Sequence, residues 1–427
     1  ITPSGKSFGV EQDERGKILE ITLPDGGTLT YEYDDQENLI QVTDPEGGVR
    51  RYEYDDAHHM TAWYDEDGNR TVANTYDELG RVTAQTDALR YTMTFSYEED
   101  ATVVTDNRGN QIVYTLDDQK RNTGITYANG DVEKTTYDEN NRISSRTDAN
   151  GVTTTYLYDE NGNLLQEIRA DGSQSEYTYN ALALPLTATD YEGTTTTFTY
   201  DARGNLLTMT DGEGNRTSFG YDSLSRMTAM TDANGGTITF RYDGDSPEPS
   251  SMTDGAGNTT VYTYDEMYRL LTETDGEGNT TTHEYNGNGW ETAVTTADGG
   301  TTVYEFSAAG EVRAITDPMG VTTTFAYDAM HNIVSGTDAL GHTLAYAYDA
   351  NYNKVSETDA KGNVTAYAFD ERNRQVTTTD ALGKEIRLTL DGAGNIVSQT
   401  DRRGNTTSYT YDEVLSLPVS MTDREGN

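Results

Sequence analysis

The most regular feature of this sequence is an alternation of short runs rich in Thr and aromatic residues with turn-forming residues, about every ten positions. In the run "TTTYLY" at residues 153–158, Thr154, Tyr156 and Tyr158 share one face of an extended strand, because successive side chains point to opposite faces. No window keeps a helical period, and Gly or Pro interrupts every candidate segment. The pattern predicts an all-β protein made of short strands.

An anchor residue, usually Tyr, recurs every 21 residues along most of the chain. It stands at Tyr137, Tyr158, Tyr179, Tyr200, Tyr221 and Tyr242 and, after one added residue, at Tyr264, Tyr285, Phe306, Tyr327, Tyr348, Phe369, Leu390 and Tyr411. A Thr-Asp pair follows many of the anchors by about ten residues, at Thr147, Thr210, Thr231, Thr274, Thr337, Thr358, Thr379 and Thr400. A fixed period of this length indicates a repeat architecture, and the spacing gives about 20 units. We predict one continuous array over residues 1–427, as a section of something longer.

Each unit contains two turns with the patterns Y-D-x-x-G-N and T-D-x-x-G-N, called here the Y-D and T-D turns. An Asp side chain at the start of a turn accepts backbone N–H groups of the following residues, and Gly adopts a left-handed backbone at low cost. The predicted anchor and turn residues are Tyr158, Asp159, Gly162, Tyr200, Asp201, Gly204, Asp211, Gly214, Tyr221, Asp222, Tyr327, Asp328, Tyr348, Asp349, Tyr411 and Asp412.

Two irregularities in the period fall on turns. The step from Tyr97 to Leu116 is two residues short, which predicts a tighter turn. The step from Tyr242 to Tyr264 is one residue long, and we predict that Pro247 and Pro249 lie in the enlarged loop. These changes alter turns and leave the strands intact.

About 40 strands spaced by about 4.8 Å would form a ladder roughly 190 Å long. Open twisted sheets of more than about ten strands curl or split, so antiparallel hairpins of this number are expected to coil into a tube or shell. A β-solenoid is the alternative fold. It favours Val, Ile and Leu around a narrow core, whereas the inward candidates here are Tyr and Thr.

The chain has a formal net charge of −43 and no Cys. This charge excludes the basic footprint needed for nucleic acid or anionic membranes, and it keeps a large β surface soluble. The lack of Cys excludes disulfides and thiolate chemistry. No stretch reaches the roughly 20 apolar residues of a membrane helix, and the first 16 residues do not form a signal peptide.

The sequence offers little catalytic chemistry. No nucleophile elbow, phosphate-binding loop or zinc-protease motif occurs, and His58 and His331 take the place of a turn Gly, so both are predicted to be exposed turn residues. We expect no enzymatic activity and no cofactor. Calcium binding by acidic turns such as residues 65–69, 211–215 and 275–279 is a minor alternative, which predicts that calcium raises the melting temperature.

The pattern Y-D-x-x-G-N/R with T-D-x-x-G-N, repeated in register over nearly the whole chain, resembles the YD repeat, also called the RHS repeat. This family includes bacterial Rhs and wall-associated polymorphic toxins, the C component of Tc toxin complexes, and teneurins. The resemblance implies a β-sheet spiralled into a hollow shell that encloses or presents a C-terminal toxin domain of the same polypeptide. It also implies a bacterial secreted or cell-surface protein.

The family's Asp-containing cleavage segment and a non-repeat toxin domain are not recognisable in this sequence. The stretch "TDPMG" at residues 316–320 lies in the ordinary phase of a T-D turn and is interpreted as one. The alternative function is a cell-surface adhesin or cell-contact module that binds glycans or protein through exposed aromatic rows. Choline- or glucan-binding hairpins are disfavoured, because they use regular Trp and only Trp63 and Trp290 occur.

Overall fold

The computed structural model describes residues 6–412 and 414–426. Within these residues every regular element is a β-strand, and all 40 strands are assigned to one sheet. The described residues contain no helix long and apolar enough to cross a membrane. The prediction of an all-β fold is therefore confirmed.

The strands alternate between two kinds. The odd-numbered strands, most of which end at an anchor residue, are β1 (Gly9–Gln12), β3 (Thr28–Tyr33), β5 (Val49–Tyr54), β7 (Val72–Tyr76), β9 (Thr92–Tyr97), β11 (Gln111–Leu116), β13 (Val132–Tyr137), β15 (Thr153–Tyr158), β17 (Gln174–Tyr179), β19 (Thr195–Tyr200), β21 (Arg216–Tyr221), β23 (Thr237–Tyr242), β25 (Thr259–Tyr264), β27 (Thr280–Tyr285), β29 (Thr301–Phe306), β31 (Thr322–Tyr327), β33 (Thr343–Tyr348), β35 (Val364–Phe369), β37 (Glu385–Leu390) and β39 (Thr406–Tyr411). The even-numbered strands are β2 (Ile18–Thr22), β4 (Leu39–Thr43), β6 (Met60–Tyr64), β8 (Val82–Asp87), β10 (Ala101–Thr105), β12 (Asn122–Thr126), β14 (Ile143–Thr147), β16 (Leu164–Ile168), β18 (Pro185–Thr189), β20 (Leu206–Thr210), β22 (Met227–Thr231), β24 (Pro249–Thr253), β26 (Leu270–Thr274), β28 (Glu291–Thr295), β30 (Val312–Thr316), β32 (Ile333–Thr337), β34 (Lys354–Thr358), β36 (Gln375–Thr379), β38 (Ile396–Thr400) and β40 (Pro418–Thr422).

Pairing is antiparallel between strands that follow one another in sequence. In the β19–β20 hairpin, Phe198 pairs with Met209 and Thr199 with Thr208, but the next step joins Tyr200 to Leu206. This register shift is a β-bulge at the start of the even strand, and hairpins such as β3–β4 and β33–β34 repeat it. Antiparallel neighbours contradict the alternative β-solenoid, whose coils stack strands in parallel.

The two irregular turns change length as predicted. Three residues connect β9 to β10, whereas five connect β19 to β20. The connection from β23 to β24 spans residues 243–248, one more than usual. The prediction that Pro249 lies in the loop is wrong, because Pro249 is the first residue of β24. Proline is tolerated there because the first residue of a strand can do without a ladder donor.

The sheet has no conventional hydrophobic core among the described residues. The buried apolar side chains are Ala62, Ala101, Ala293 and Ala314, and no large side chain is fully buried. Neighbouring strands are instead linked by cross-strand contacts within one face, such as the 2.6 Å hydrogen bond between the hydroxyls of Thr199 and Thr208. Each pair of this kind contributes roughly 0.2–1 kcal/mol, so stability is spread along the array.

The described chain divides into two compact units. Unit 1 contains residues 1–73, 179–188 and 194–325, and unit 2 contains residues 74–178, 189–193 and 326–427. The repeat runs through both units. Whether the array behaves as one domain, as predicted from the sequence, stays a prediction.

Candidate functional site

The Asp at the start of each turn is a hydrogen-bond acceptor for the turn that it opens. Asp201 Oδ1 accepts the backbone N–H groups of Arg203 and Asn205 at 2.8 and 2.9 Å. The side-chain amide of Asn205 donates to Asp201 Oδ2 at 2.8 Å, and Gly204 closes the turn at a φ of 91°. The consensus Asp, Gly and Asn of the repeat therefore act together within one five-residue turn.

The other Asp residues named from the sequence likewise open turns, although the turn of Asp412 is one residue longer. Asp159, Asp211, Asp222, Asp328, Asp349 and Asp412 each accept backbone N–H groups of their own turn, and Gly162 and Gly214 have φ values of 91° and 88°. Where Gly is absent, Ser225, His331 and Tyr352 take its left-handed conformation. The prediction that both turn histidines are exposed holds for His58, whereas His331 is half-buried.

These hydrogen bonds predict the effect of acid. The side-chain amide of Asn205 lowers the pKa of Asp201, and those of Asn163 and Asn215 do the same for Asp159 and Asp211. A carboxylate with a lowered folded pKa contributes stability above its unfolded pKa, about 3.9, and that contribution is lost as the pH falls through the folded value. We expect the melting temperature, followed by circular dichroism, to fall steeply below about pH 4. An unchanged melting temperature between pH 5 and pH 2.5 would contradict this linkage.

The anchor Tyr has a second role, in coupling consecutive units. Its hydroxyl donates to the backbone carbonyl of the residue 15 positions earlier, as from Tyr158 to Ile143 at 2.9 Å. That carbonyl belongs to the first residue of an even strand, where the register shifts, and Ile143 pairs with Tyr137, the previous anchor. The same bond is made by Tyr33, Tyr97, Tyr137, Tyr242, Tyr264, Tyr348 and Tyr411. Tyr200 and Tyr221 hold the same strand position without this bond among the described residues.

This contact predicts the effect of removing one anchor hydroxyl. Tyr137→Phe keeps the ring but leaves the carbonyl of Asn122, 2.8 Å from the lost hydroxyl, without its donor. We expect a loss of about 1 kcal/mol, seen as faster amide hydrogen exchange in β12 and β13. Tyr114→Phe is the control, because its hydroxyl has no hydrogen bond to the described residues. Equal exchange in both variants would show that the hydroxyl does not couple the units.

The Arg that replaces Asn at the end of some Y-D turns bridges consecutive units. Arg142 pairs with its own turn Asp138 at 2.7 Å, and its guanidinium lies 4.8 Å from the ring centroid of the next anchor, Tyr158. The same stacking over the next anchor, at 4.3–5.2 Å, is made by Arg81, Arg121, Arg226 and Arg269. Such cation–π contacts are worth about 0.5–2 kcal/mol, depending on their exposure.

In unit 1, T-D turns of an early segment contact Y-D turns about 240 residues later. Asn288 Nδ2 donates to Asp44 Oδ2 at 2.8 Å, and Arg269 Nη2 pairs with Asp25 Oδ2 at 3.0 Å. These pairs are both separated by 244 residues, and Ala308 reaches Asp67 across 241. We call this set of contacts the unit 1 seam.

Unit 2 contains an equivalent set, the unit 2 seam. Arg372 reaches Asp131 and Glu133 at 2.8 and 3.0 Å, and its guanidinium lies 3.8 Å from the ring centroid of Tyr127. Asn351 Nδ2 donates to Asp106 Oδ2 at 2.7 Å, across 245 residues. In both seams, turns at one edge of the sheet bind turns at another edge. Nothing in the local sequence pattern indicated these pairs.

The described residues offer little support for metal or acid–base chemistry. In residues 6–412 and 414–426, no three His, Asp or Glu side chains gather closely enough to hold a metal ion. The acidic turns proposed as calcium loops already use their carboxylates, since both oxygens of the buried Asp65 accept hydrogen bonds from Asn69. The arrangement is suited to edge-to-edge packing and to surface binding.

The RHS repeat profile matches most of the chain. The matched residues are 13–49, 38–70, 54–92, 137–174, 179–216, 200–237, 248–280, 269–301, 306–341, 331–364, 353–385 and 391–427. The chain belongs to the RHS repeat family. Its Y-D and T-D turns are thus the two half-motifs of the RHS repeat.

The solved structures that match this chain include components of Tc toxins. The TcdB2-TccC3 structure has 14% sequence identity and a TM-score of 0.45, and the match covers 95% of this chain and 31% of that one. For the Photorhabdus luminescens Tc holotoxin pore the identity is 15%, the TM-score 0.35, and the coverage 94% and 29%. This RHS repeat array thus spans less than a third of those chains. No curated protein sequence matches it.

Proposed function

We propose that this RHS repeat array is a wall segment of a bacterial β-shell that encloses or presents a toxin domain of the same polypeptide. The array itself is non-catalytic, and its partners are further repeats and the enclosed domain. The protein that carries it is secreted or displayed on the bacterial surface, and this segment inserts into no membrane. No cofactor is required for this role.

The observation that carries the proposal is the seam found in each unit. In each unit, turns at one edge of the sheet contact turns about 240 residues later in the same chain. Those edges are therefore covered by the protein itself. Edge contacts of this kind suit a wall built from successive layers of repeats. These contacts hold neighbouring layers of such a wall together, although the sheet has no thick hydrophobic core.

The aromatic face supports the same role. The strand before most Y-D turns carries an aromatic side chain at its anchor and usually another two residues earlier, as in Tyr262 and Tyr264. These side chains are half-buried, and among the described residues no large side chain is fully buried. Such a surface offers weak apolar contact to an enclosed polypeptide, while the surplus carboxylates favour solvation of the opposite face.

Limited proteolysis with intact mass measurement on the whole natural polypeptide tests the proposal. A C-terminal fragment that is already cleaved, yet retained and protected until the protein is denatured, is the expected result. An uncleaved polypeptide whose C-terminal region is exposed and digestible would contradict encapsulation.

That second outcome would favour the alternative, a surface adhesin. The observation that favours it is the partial exposure of the same aromatic rows, which could contact glycans or protein from outside. Binding of the intact protein to host or bacterial cell surfaces would then survive removal of the C-terminal region.

A further inference from the structure

The T-D turn at residues 148–152 forms a further contact of the unit 2 seam, and a carboxamide makes it. Asn150 Nδ2 donates to Asp391 Oδ2 at 3.1 Å, across 241 residues, and Asn150 Oδ1 accepts the backbone N–H of Ala393 at 3.3 Å. The two turns meet closely, because a Cβ atom added to Gly392 would lie 2.7 Å from a backbone oxygen of the opposing turn. Both polar atoms of the Asn150 side chain therefore hold the turn that Asp391 opens.

Asn150 is followed by Gly151, and an Asn-Gly pair can lose ammonia without an enzyme. Asn is a thermolabile residue, and Gly has no side chain to hinder the approach of its own backbone nitrogen. That nitrogen loses its proton and attacks Cγ of Asn150, and the new C–N bond forms as the Cγ–Nδ2 bond breaks and ammonia leaves. Water then opens the cyclic imide at either carbonyl, which gives an aspartyl or isoaspartyl residue. The reaction needs water as its sole co-reactant.

A second turn of the chain has the same sequence and supplies an internal reference. Residues 147–151 and 231–235 both read "TDANG", and both lie in T-D turns. The backbone N–H of each Asn donates to its turn Asp, at 2.9 Å for Asn150 and 2.8 Å for Asn234, and the following Gly has a φ of 86° or 87°. Both Asn residues are exposed, but the side chain of Asn234 forms no hydrogen bond with a described residue. The two sites therefore differ in the seam contact.

The position of Asn150 also distinguishes it from the other Asn-Gly pairs, whose Asn residues are Asn129, Asn161, Asn234, Asn286 and Asn288. Among these, Asn288 likewise donates to a carboxylate of an opposing turn, but it is half-buried. A cavity of about 710 Å³, lined in part by Asn150, Asp391 and Tyr411, lies beside the Asn150 contact. It gives the released side chain room to rotate and holds space for the water that opens the imide.

Loss of the amide would reverse the sign of this contact. Asp391 Oδ2 also accepts from Asn395 at 2.9 Å, and its carboxylate forms no ion pair with a described residue. Burial raises the pKa of Asp391, but the hydrogen bonds from Asn395 and Asn150 outweigh it, so the pKa lies below its ordinary value. Arg374 lies close, yet its guanidinium pairs with Asp370 and reaches the main-chain carbonyl of Asp391. A second carboxylate opposite Asp391 would therefore repel it.

We propose that Asn150 is a deamidation site that controls the unit 2 seam. While the seam is closed, hydrogen bonds to Asp391 and Ala393 fix the side chain, so the reaction is slow. Each opening of the contact frees Asn150 to cyclise, and the resulting carboxylate then prevents the contact from re-forming. This part of the seam thus has a finite lifetime, and its loss is irreversible. The property is independent of encapsulation, since every atom involved belongs to the array.

Peptide mapping by mass spectrometry, after incubation of the intact chain at mildly alkaline pH, compares the two identical turns within the same molecules. We expect Asn234 to convert at least about fivefold faster than Asn150, because Asn150 must first break a seam contact. Arg372→Ala removes a hydrogen bond to the Gly392 carbonyl, so it should accelerate conversion of Asn150 and leave that of Asn234 unchanged. Equal rates at both sites in the parent protein would overturn the proposal.

Asn150→Asp introduces the charge of the product directly. Hydrogen exchange at residues 391–395 should become at least about fivefold faster, whereas Asn234→Asp, the matched control, should leave it unchanged. Combining Asn150→Asp with Asp391→Asn restores an amide–carboxylate pair with the roles exchanged, and should recover much of the lost protection. Asn is compatible with that position, since Asn286 opens a turn in the parent protein. If Asn150→Asp exchanges like the parent, the seam does not depend on this amide and the proposal is refuted.

Discussion

Arg372→Ala will loosen the unit 2 seam by about 2–3 kcal/mol, which is a large effect for a residue near the surface. The side chain is only 14% exposed and pairs with Asp131 and Glu133. It also donates to the carbonyl of Gly392 at 2.6 Å and stacks on Tyr127. Truncation removes all of these contacts and leaves two neighbouring carboxylates without their counter-ion. The expected value lies below the range for a fully buried pair because part of the site is solvated.

Hydrogen exchange is the suitable measurement for Arg372→Ala, because a long repeat array has no single free energy of unfolding. Protection should fall in the turns at residues 127–131 and 370–374 and stay unchanged in distant hairpins. Arg387→Ala is the control, since its side chain is 68% exposed and among the described residues forms an ion pair only with Glu385. Its effect should stay below about 0.5 kcal/mol. If both variants exchange alike, the seam contributes no stability.

Gly204→Val is expected to destabilise its hairpin by about 2 kcal/mol, because a β-branched residue is forced into a left-handed backbone. Gly204 has a φ of 91°, and an added Cβ would also lie 3.3 Å from Leu184 Cδ1. The loss should appear as faster exchange in β19 and β20 and as a lower melting temperature.

Gly204→Asn provides a control for that variant. Asn141 and Asn373 hold the equivalent position of other Y-D turns with φ values of 65° and 59°, so Asn is compatible with this turn. Its cost should be less than half that of Val, since Asn tolerates the left-handed region. Equal melting of Gly204→Val and the parent protein would show that the turn does not need its positive φ.

Local features of this fold were predictable from sequence because each follows from a pattern repeated many times. The alternation around Tyr156 and Tyr158 gives the strand, and the spacing of Asp201, Gly204 and Asn205 gives the turn. The antiparallel hairpin follows from both. One unit alone would have been ambiguous, but in-register repetition excludes helices, and the observed antiparallel pairing excludes parallel coils.

Longer-range contacts were not predictable in this way. The bond from Tyr158 to the Ile143 carbonyl depends on a β-bulge, and a register shift leaves no mark in the period. The seam pairs join turns that are not neighbours in the repeat, so no spacing rule selects Arg372 or Asn288. From sequence alone, a charged residue at the tip of a turn cannot be distinguished from any other solvent-exposed residue. Its role becomes visible only when the turn that contacts it is known.

The segment around Trp290, in the Y-D turns that begin at Asn286 and Ser307, lies between these cases. The sequence shows that Asn286, Trp290 and Ser307 break the consensus, which could have been read as a signal. What it does not show is that Glu46, about 240 residues earlier in the chain, accepts the backbone N–H of Gly287 beside them. The consensus break can be seen in the sequence, whereas the contact with Glu46 can be seen only once the seam is known.

The seam separations also constrain how such a chain can change its length. The spacing of 239–246 residues corresponds to about eleven and a half repeats, so T-D turns meet Y-D turns at the seams. Deleting one whole unit between the partners would keep that alternation but bring the turn of Asn288, in place of Arg269, opposite Asp25, and every other pair would slip by the same step. The side chains at the seam thus favour one number of repeats between the paired turns. Gain or loss of units by recombination would therefore be selected against in the interior of the array, although each unit is individually interchangeable.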